Sequence, residues 1–216
     1  MQSGFAEVAA QIADSWRRNR GALLTTLRQA HLDLHQGREF QLLCLEHRLP
    51  LSLVPLLVKT FREHRPRIAL TLSVRTLLQT LRQDGWRLGI LTNGDPGVQR
   101  RKIDALGLLP LIDEVVFAEE HGGGKPNPAA FLVATQRLRL RPTQCLHVGD
   151  DPIGDVAGAR AAGLRVIRVL APPEAGACAP VVERNGRLPE ADATVDTVLD
   201  VARVAAQVLT ESPDVV

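Results

Sequence analysis

The first third of the chain carries apolar residues at helical spacing. Two stripes are formed by Phe5, Val8, Ala9, Ile12 and Trp16, and by Leu23, Leu24 and Leu27. Two more apolar segments, 41–46 and 51–61, are divided by Pro50. No alternating run of β-branched residues interrupts this region. The pattern predicts a small helical bundle over residues 1–70, without a sheet of its own.

The pattern changes after Pro66, where short apolar runs alternate with helical segments. The predicted strands are 87–92, 114–117, 145–148 and 165–170, followed by a last strand and helix over 194–209. The predicted helices between the strands are 98–107, 128–138 and a stretch of small residues over 156–163. Strands that alternate with helices indicate βαβ units, so residues 71–216 are predicted to form an α/β domain with a parallel sheet.

Composition narrows the classes of function. The 216 residues are 45% hydrophobic and 23% charged, which is typical of globular domains. The apolar runs are far shorter than the roughly 20 residues that span a membrane, and Glu7 and Asp14 stand where a secretory signal would be basic or apolar. The net charge is only +2, aromatic residues make up 3% of the chain and tyrosine is absent, so we do not expect a nucleic-acid partner. Three isolated cysteines, Cys44, Cys145 and Cys178, indicate a reducing compartment, so we expect a cytoplasmic protein with no membrane partner.

Polar loops come after three of the predicted strands, where parallel sheets bind their ligands. The first loop begins at Thr92, Asn93 and Gly94. A hydroxyl followed by main-chain N–H groups offers the donors that a phosphate oxygen needs. The alternative is an ordinary strand-to-helix turn in which Asn93 or Asp95 caps the next helix.

The second loop is Gly-Gly-Gly-Lys-Pro-Asn-Pro, residues 122–128. It contains Lys125, one of only three lysines in the chain, and the prolines on either side of Asn127 stiffen the backbone after the lysine. An ammonium held near a strand end can neutralise a phosphoryl group or a carboxylate. The alternative is a flexible surface hairpin with a solvated lysine. The loop is not that of nucleoside triphosphatases, because no Ser or Thr comes directly after the lysine.

The third loop contains Asp150, Asp151 and Asp155. Crowded carboxylates need a compensating cation, and Mg²⁺ takes carboxylate oxygens together with water and substrate phosphate. The alternative has Asp151 and Asp155 as charges favoured at a helix N-terminus. We expect Asp150 to be buried, because it ends a strand of a parallel sheet.

The order of these loops, a threonine, then a lysine, then an aspartate pair, resembles the haloacid dehalogenase-like (HAD) hydrolase superfamily. The resembling motifs are LTNG, GGGKPNPAAF and HVGDDPIGDVAGARAAG. The resemblance implies a three-layer Rossmann-like core over 71–216 and a helical cap domain over 1–70. It also implies a Mg²⁺-dependent phosphatase of small phosphorylated metabolites. In that family's terms Thr92 and Asn93 bind phosphate, Lys125 is catalytic, and Asp150, Asp151 and Asp155 form the metal site.

The family's first motif is a strand ending in Asp-x-Asp, which supplies the nucleophile and the general acid/base. No Asp-x-Asp occurs in this sequence, so the first core strand is expected to be missing and residues 1–216 are expected to be inactive. Three outcomes are then open. The strands on either side pair directly, another segment fills the gap, or the chain is part of a longer protein that contains the strand; we favour the last. A non-catalytic phosphate- or metal-binding protein is the alternative function.

The resemblance carries two further expectations. Substrate choice would belong to the helical cap domain, where His31, His35 and Arg38 are polar candidates. Carbon–halogen hydrolysis is disfavoured, because that chemistry needs no Mg²⁺ and the acidic cluster would have no role. The sequence does not indicate an oligomeric state.

Overall fold

Helices fill the first part of the chain, and strands alternate with helices in the rest. A computed structural model describes residues 2–32, 37–170 and 189–210; His35 and Cys178 lie outside these ranges. The chain divides into two compact units, Met1–Ile68 with Arg100–Ala105, and Ala69–Gln99 with Leu106–Val216. We call them the helical unit and the sheet unit.

The helical unit contains α1 (Gln2–Trp16), α2 (Arg20–Leu32), α3 (Glu39–Glu46) and α4 (Val54–Glu63). Their apolar stripes meet in one core that includes Val8, Ile12, Leu23, Leu27, Leu43 and Leu57. Phe5 lies in this core beside Phe61, with ring centroids 5.3 Å apart, whereas Trp16 at the end of the same stripe is 39% exposed. The predicted helical bundle is therefore present, and Pro50 stands just before the short turn that leads into α4.

The sheet unit has the predicted alternation of strands and helices. Its strands are β1 (Gly89–Thr92), β2 (Glu114–Phe117), β3 (Leu146–Gly149), β4 (Arg165–Val169) and β5 (Ala193–Val195). Its helices are α5 (Leu72–Gln83), α6 (Pro96–Leu106, shared with the helical unit), α7 (Pro128–Arg137), α8 (Gly158–Ala161) and α9 (Val201–Thr210). The predicted helix over 156–163 instead begins as a π-helical turn, Pro152–Ala157, which continues into α8.

All strand pairs are parallel, and helices cover both faces of the larger sheet. Along β4, Val166 joins a cluster formed with α7 and α8, whereas the next residue, Ile167, joins a cluster formed with α9. Neighbouring side chains of a strand point to opposite faces, so this arrangement is the three-layer α/β fold that the sequence predicts.

The strands form two sheets, β1-β2 and β3-β4-β5. Within the described residues β1 pairs with β2 alone and β3 with β4 alone, although α7 contacts both strands: it packs on β1, and its Phe131 ring lies 5.0 Å from the ring of His147 in β3. None of the eight residues of β1 and β3 is buried, whereas β2 and β4 each contain buried residues. An edge of β1 and an edge of β3 thus lack a hydrogen-bonded strand in the described part of the chain.

Candidate functional site

The loop after β1 directs polar groups toward the second loop. Asp95, not Asn93, caps α6, because its carboxylate accepts the N–H of Val98 at 3.0 Å. The Thr92 hydroxyl is half-buried and donates to the Asn93 carbonyl at 3.3 Å. Gly94 has a φ of +98°, a conformation that favours glycine. Of the two capping residues that the alternative offered, Asp95 is the one used, and the Asn93 side chain makes another contact.

That contact is with Lys125. The Asn93 side-chain oxygen accepts the Lys125 N–H at 2.7 Å, and the Asn93 Nδ2 donates to the Lys125 carbonyl at 3.0 Å. Gly124, at a φ of +95°, allows this approach, since a Cβ there would lie 3.1 Å from both Asn93 Oδ1 and Glu119 Oε1. The lysine side chain is 15% exposed, so the alternative of a solvated lysine on a flexible hairpin is wrong.

The Lys125 ammonium is paired with Asp155. Lys125 Nζ lies 2.5 Å from Asp155 Oδ1, and His147 Nε2 lies 3.0 Å from the same oxygen. The other carboxylate oxygen accepts the main-chain N–H groups of Asp150 and Asp151, each at 3.1 Å. Gly149 makes room for this group, because a Cβ there would overlap the Asp155 carboxyl. Four donors thus surround one carboxylate.

These donors determine the charge of Asp155. Burial by itself raises the pKa of this carboxyl, which is 4% exposed. The hydrogen bond from His147, the charge of Lys125 and the Lys125 hydrogen bond outweigh burial and hold the pKa well below its ordinary value. Asp155 is therefore a buried, ionised group that joins Lys125 to the loop after β3.

Asp150 and Asp151 are placed differently from Asp155. Both are exposed, so the expectation that Asp150 is the buried carboxylate is wrong. The π-helical turn over Pro152–Ala157 returns Asp155 to the strand end and leaves Asp150 facing outward. Asp151 caps that turn by accepting the Ile153 N–H at 2.9 Å, which matches the helix-terminal alternative for this residue. Among the described residues the Asp150 carboxylate has no hydrogen-bond donor.

Sequence reasoning misses the role of His147 and does not reveal Glu119. In the sequence His147 is only one letter of the third motif; in the structure its ring packs edge-on against Phe131 and its Nε2 contacts Asp155. Its position two residues before Gly149, on the same face of β3, is the signal that could identify it. Glu119 accepts the Gly94 N–H at 3.3 Å, across a separation of 25 residues that local patterns do not reveal.

The carboxylates in the loop after β3 fit a Mg²⁺ ion in part. Asp150 offers an exposed carboxylate, and Mg²⁺ is often held by one or two carboxylates with water and substrate phosphate. Asp155 already accepts four hydrogen bonds, which occupy the sites of its two oxygens. Across the described ranges no group of three or more His, Cys, Asp or Glu side chains is arranged to hold a metal. Of the three predicted aspartates, Asp150 is thus the one whose carboxylate has no other hydrogen-bond role among the described residues.

The three predicted loops therefore meet. Hydrogen bonds lead from Asn93 to Lys125, from Lys125 to Asp155, and from Asp155 to the main chain of Asp150. The result is an ammonium, a hydroxyl from Thr92 and an exposed carboxylate in three loops that these hydrogen bonds join. Such a set can bind a phosphoryl group and a cation.

Comparison with known proteins identifies the same region. Residues 15–163 match the family model of haloacid dehalogenase-like hydrolases. A glyceraldehyde 3-phosphate phosphatase of Methanopyrus kandleri is 40% identical over 96 residues, which are 44% of this chain and 41% of that protein. A phosphoserine phosphatase of Thermus thermophilus is 37% identical over 113 residues, 52% of this chain and 45% of that protein. In both matches the chain covers less than half of the relative.

Solved structures share the fold. The HAD-hydrolase YfnB of Bacillus subtilis, in a crystal structure bound to magnesium, superposes with a TM-score of 0.68 at 18% identity, covering 94% of this chain and 91% of that one. At this identity the likeness concerns the fold alone. In the parts of the chain that the structure describes, no helix has the length and apolar character needed to cross a membrane.

Proposed function

Because the chain belongs to the haloacid dehalogenase-like hydrolases, we propose that it carries the phosphate- and metal-binding part of a Mg²⁺-dependent phosphatase. The substrate class is a small phosphorylated metabolite, as the names of the Methanopyrus and Thermus relatives suggest. The observation that carries the proposal is the hydrogen-bonded connection of the three strand-end loops through Lys125. The helical unit serves as the cap domain that selects the substrate.

Each site residue has a proposed role. The Thr92 hydroxyl and the main-chain N–H of Asn93 donate to phosphoryl oxygens, and the Lys125 ammonium neutralises their charge. Asp150 binds the metal, and Asp151 orients water bound to it. Asp155 holds Lys125 in place rather than binding the metal, because its oxygens already have four donors. Bound Mg²⁺ would supply further neutralisation of the phosphoryl charge.

The attacking group is the part that these residues do not supply. Covalent phosphoryl transfer in this scheme needs a carboxylate nucleophile, and the sequence contains no Asp-x-Asp. β1 and β3 each have an edge without a partner in the described residues, and α7 contacts both strands, so these edges are a suitable place for a strand that ends in such a pair. We propose that the nucleophile comes from such a strand in a longer protein.

Turnover of p-nitrophenyl phosphate with Mg²⁺ tests this proposal. Residues 1–216 should show no turnover, and the same chain extended by the in-frame coding sequence upstream of Met1 should be active. Lys125→Ala should abolish the activity of the extended protein, whereas Lys59→Ala, at an exposed lysine of α4, should not. Turnover by residues 1–216 that is lost in Lys125→Ala would show that the nucleophile is already present.

The missing Asp-x-Asp also favours a second candidate, a non-catalytic protein that binds phosphate or metal. Calorimetry with orthophosphate and Mg²⁺ on the full gene product separates the two. Binding that Lys125→Ala and Asp150→Asn weaken, without turnover, would favour this second function. Binding together with turnover would favour the phosphatase.

We also propose a cytoplasmic location. Cys44 and Cys145 are buried free thiols, which accords with a reducing compartment.

A further inference from the structure

The amide of Asn93 uses both of its polar groups on one residue of another loop. Its oxygen accepts the Lys125 N–H at 2.7 Å and its nitrogen donates to the Lys125 carbonyl at 3.0 Å. Donor and acceptor thus close a ring with the lysine main chain, an arrangement that we call the clamp. The amide oxygen and one of the two amide N–H groups are thus used within the protein.

Asn93 is itself held from several sides. Gln99 Nε2 donates to the Asn93 carbonyl at 2.9 Å, and the N–H of the next residue, Gly94, is accepted by Glu119 at 3.3 Å. These contacts fix the asparagine at the end of β1 before it reaches the lysine. The clamp therefore transmits the position of a strand end to a loop 32 residues away.

The lysine loop needs such a restraint. Gly122, Gly123 and Gly124 all have positive φ, and glycine is the residue with the most conformational freedom to lose. Asn127 holds two of these glycines, by donating from Nδ2 to the Gly122 carbonyl at 2.8 Å and from its N–H to the Gly124 carbonyl at 3.0 Å. Asn93 is the residue whose side chain restrains the main chain of Lys125 itself.

We infer that Asn93 is a positioning residue, whose amide fixes the Lys125 main chain so that the ammonium lies against Asp155. The purpose of the lysine rests on the proposed function, but the clamp does not. This role is separate from the phosphate contact that the resemblance implies for Asn93, which the proposed function assigns to its main-chain N–H.

Residue-resolved acetylation tests the inference, because the chain has only three lysines. The chain is treated with a limiting amount of an acetylating ester at fixed pH, and the rate at Lys59, Lys102 and Lys125 is read by peptide mass spectrometry. In Asn93→Ala the rate at Lys125 should rise on the order of tenfold, because two hydrogen bonds are lost. Rates at the other two lysines should not change.

Two further variants sharpen the test. Asn93→Asp keeps an acceptor for the Lys125 N–H but loses the donor to its carbonyl, so the Lys125 rate should lie between wild type and Asn93→Ala. Asn127→Ala is the matched control: it loses the side-chain bond to the Gly122 carbonyl and the cap of α7, where Asn127 accepts the Ala129 N–H, but leaves the clamp intact. Its Lys125 rate should stay near wild type.

Two results would overturn the inference. One is a wild-type rate at Lys125 in Asn93→Ala with an unchanged circular dichroism spectrum. The other is an equal rise in Asn127→Ala, which would indicate loosening of the whole loop. If Asn93→Ala does not fold, Asn93→Asp decides, and a wild-type rate there overturns the clamp. The assay uses neither phosphate nor metal, so its outcome is independent of the proposed function.

Discussion

The helical unit and the sheet unit differ in whether their elements make all of their backbone hydrogen bonds within the described residues. The core of the helical unit is one cluster, and its helices make their backbone hydrogen bonds internally. The sheet unit has separate clusters on its two faces, and its strands form two sheets. Strands depend on neighbouring strands for their hydrogen bonds, and β1 and β3, which have one partner each in the described part of the chain, contain no buried residue.

This difference explains why the candidate site depends on side-chain bonds. Thr92 ends β1 and Asp150 comes directly after β3, and these two strands are not paired within the described residues. The path from Asn93 through Lys125 to Asp155 joins their ends. We therefore expect substitutions on this path to lower the free energy of unfolding of the sheet unit more than substitutions of neighbouring exposed residues do.

The largest effect is expected from Asp155→Ala. It leaves Lys125 and His147 without their shared partner in a buried site, which typically costs about 4 kcal/mol. Each unit has one tryptophan, Trp16 or Trp86, so urea unfolding can be followed for the sheet unit alone by Trp86 fluorescence in a Trp16→Phe background. Asp151→Ala is the control, since it loses an exposed cap worth about 1 kcal/mol. Equal losses in the two variants would contradict the role of Asp155.

A pair of leucine substitutions compares the two units directly. Leu27 is fully buried in the helical unit, so Leu27→Ala should cost about 3 kcal/mol. Leu91 in β1 is only partly buried against the α7 cluster, so Leu91→Ala should cost about 1 kcal/mol. Urea unfolding of each variant, followed by the tryptophan of its own unit, measures both values. A Leu91→Ala cost as large as that of Leu27→Ala would mean that β1 is fully packed.

Acid should weaken the sheet unit through Asp155. Its pKa is lower in the folded state than the ordinary value of about 3.9, so its stabilisation is present above that pH and is lost as pH falls toward the folded pKa. Between about pH 6 and pH 3 the free energy of unfolding should fall by about 1 kcal/mol more in wild type than in Asp155→Asn. Urea titrations at several pH values, read by Trp86, supply the comparison. Parallel acid slopes for the two proteins would exclude this contribution.

Local pattern is enough for most elements, but not for the contacts between loops. The predicted strand 114–117 is β2 as observed, because a short apolar run comes before a loop rich in glycine and proline. The burial of Asp155 instead of Asp150 depends on the π-helical turn after β3, which no periodicity indicates. The Asn93–Lys125 clamp joins residues far apart in sequence, so only the folded chain reveals it. The absence of the family's first strand stays a prediction.

Amide hydrogen exchange on two versions of the chain tests the central claim most directly. One is residues 1–216, and the other carries an apolar strand ending in Asp-x-Asp, fused ahead of Met1 through a flexible linker. The account predicts that β1 and β3 gain protection in the fused protein while β5, at the outer edge of its sheet, does not. Protection gained at β5 instead, or β1 and β3 amides as protected as those of β4 before the strand is added, would contradict it.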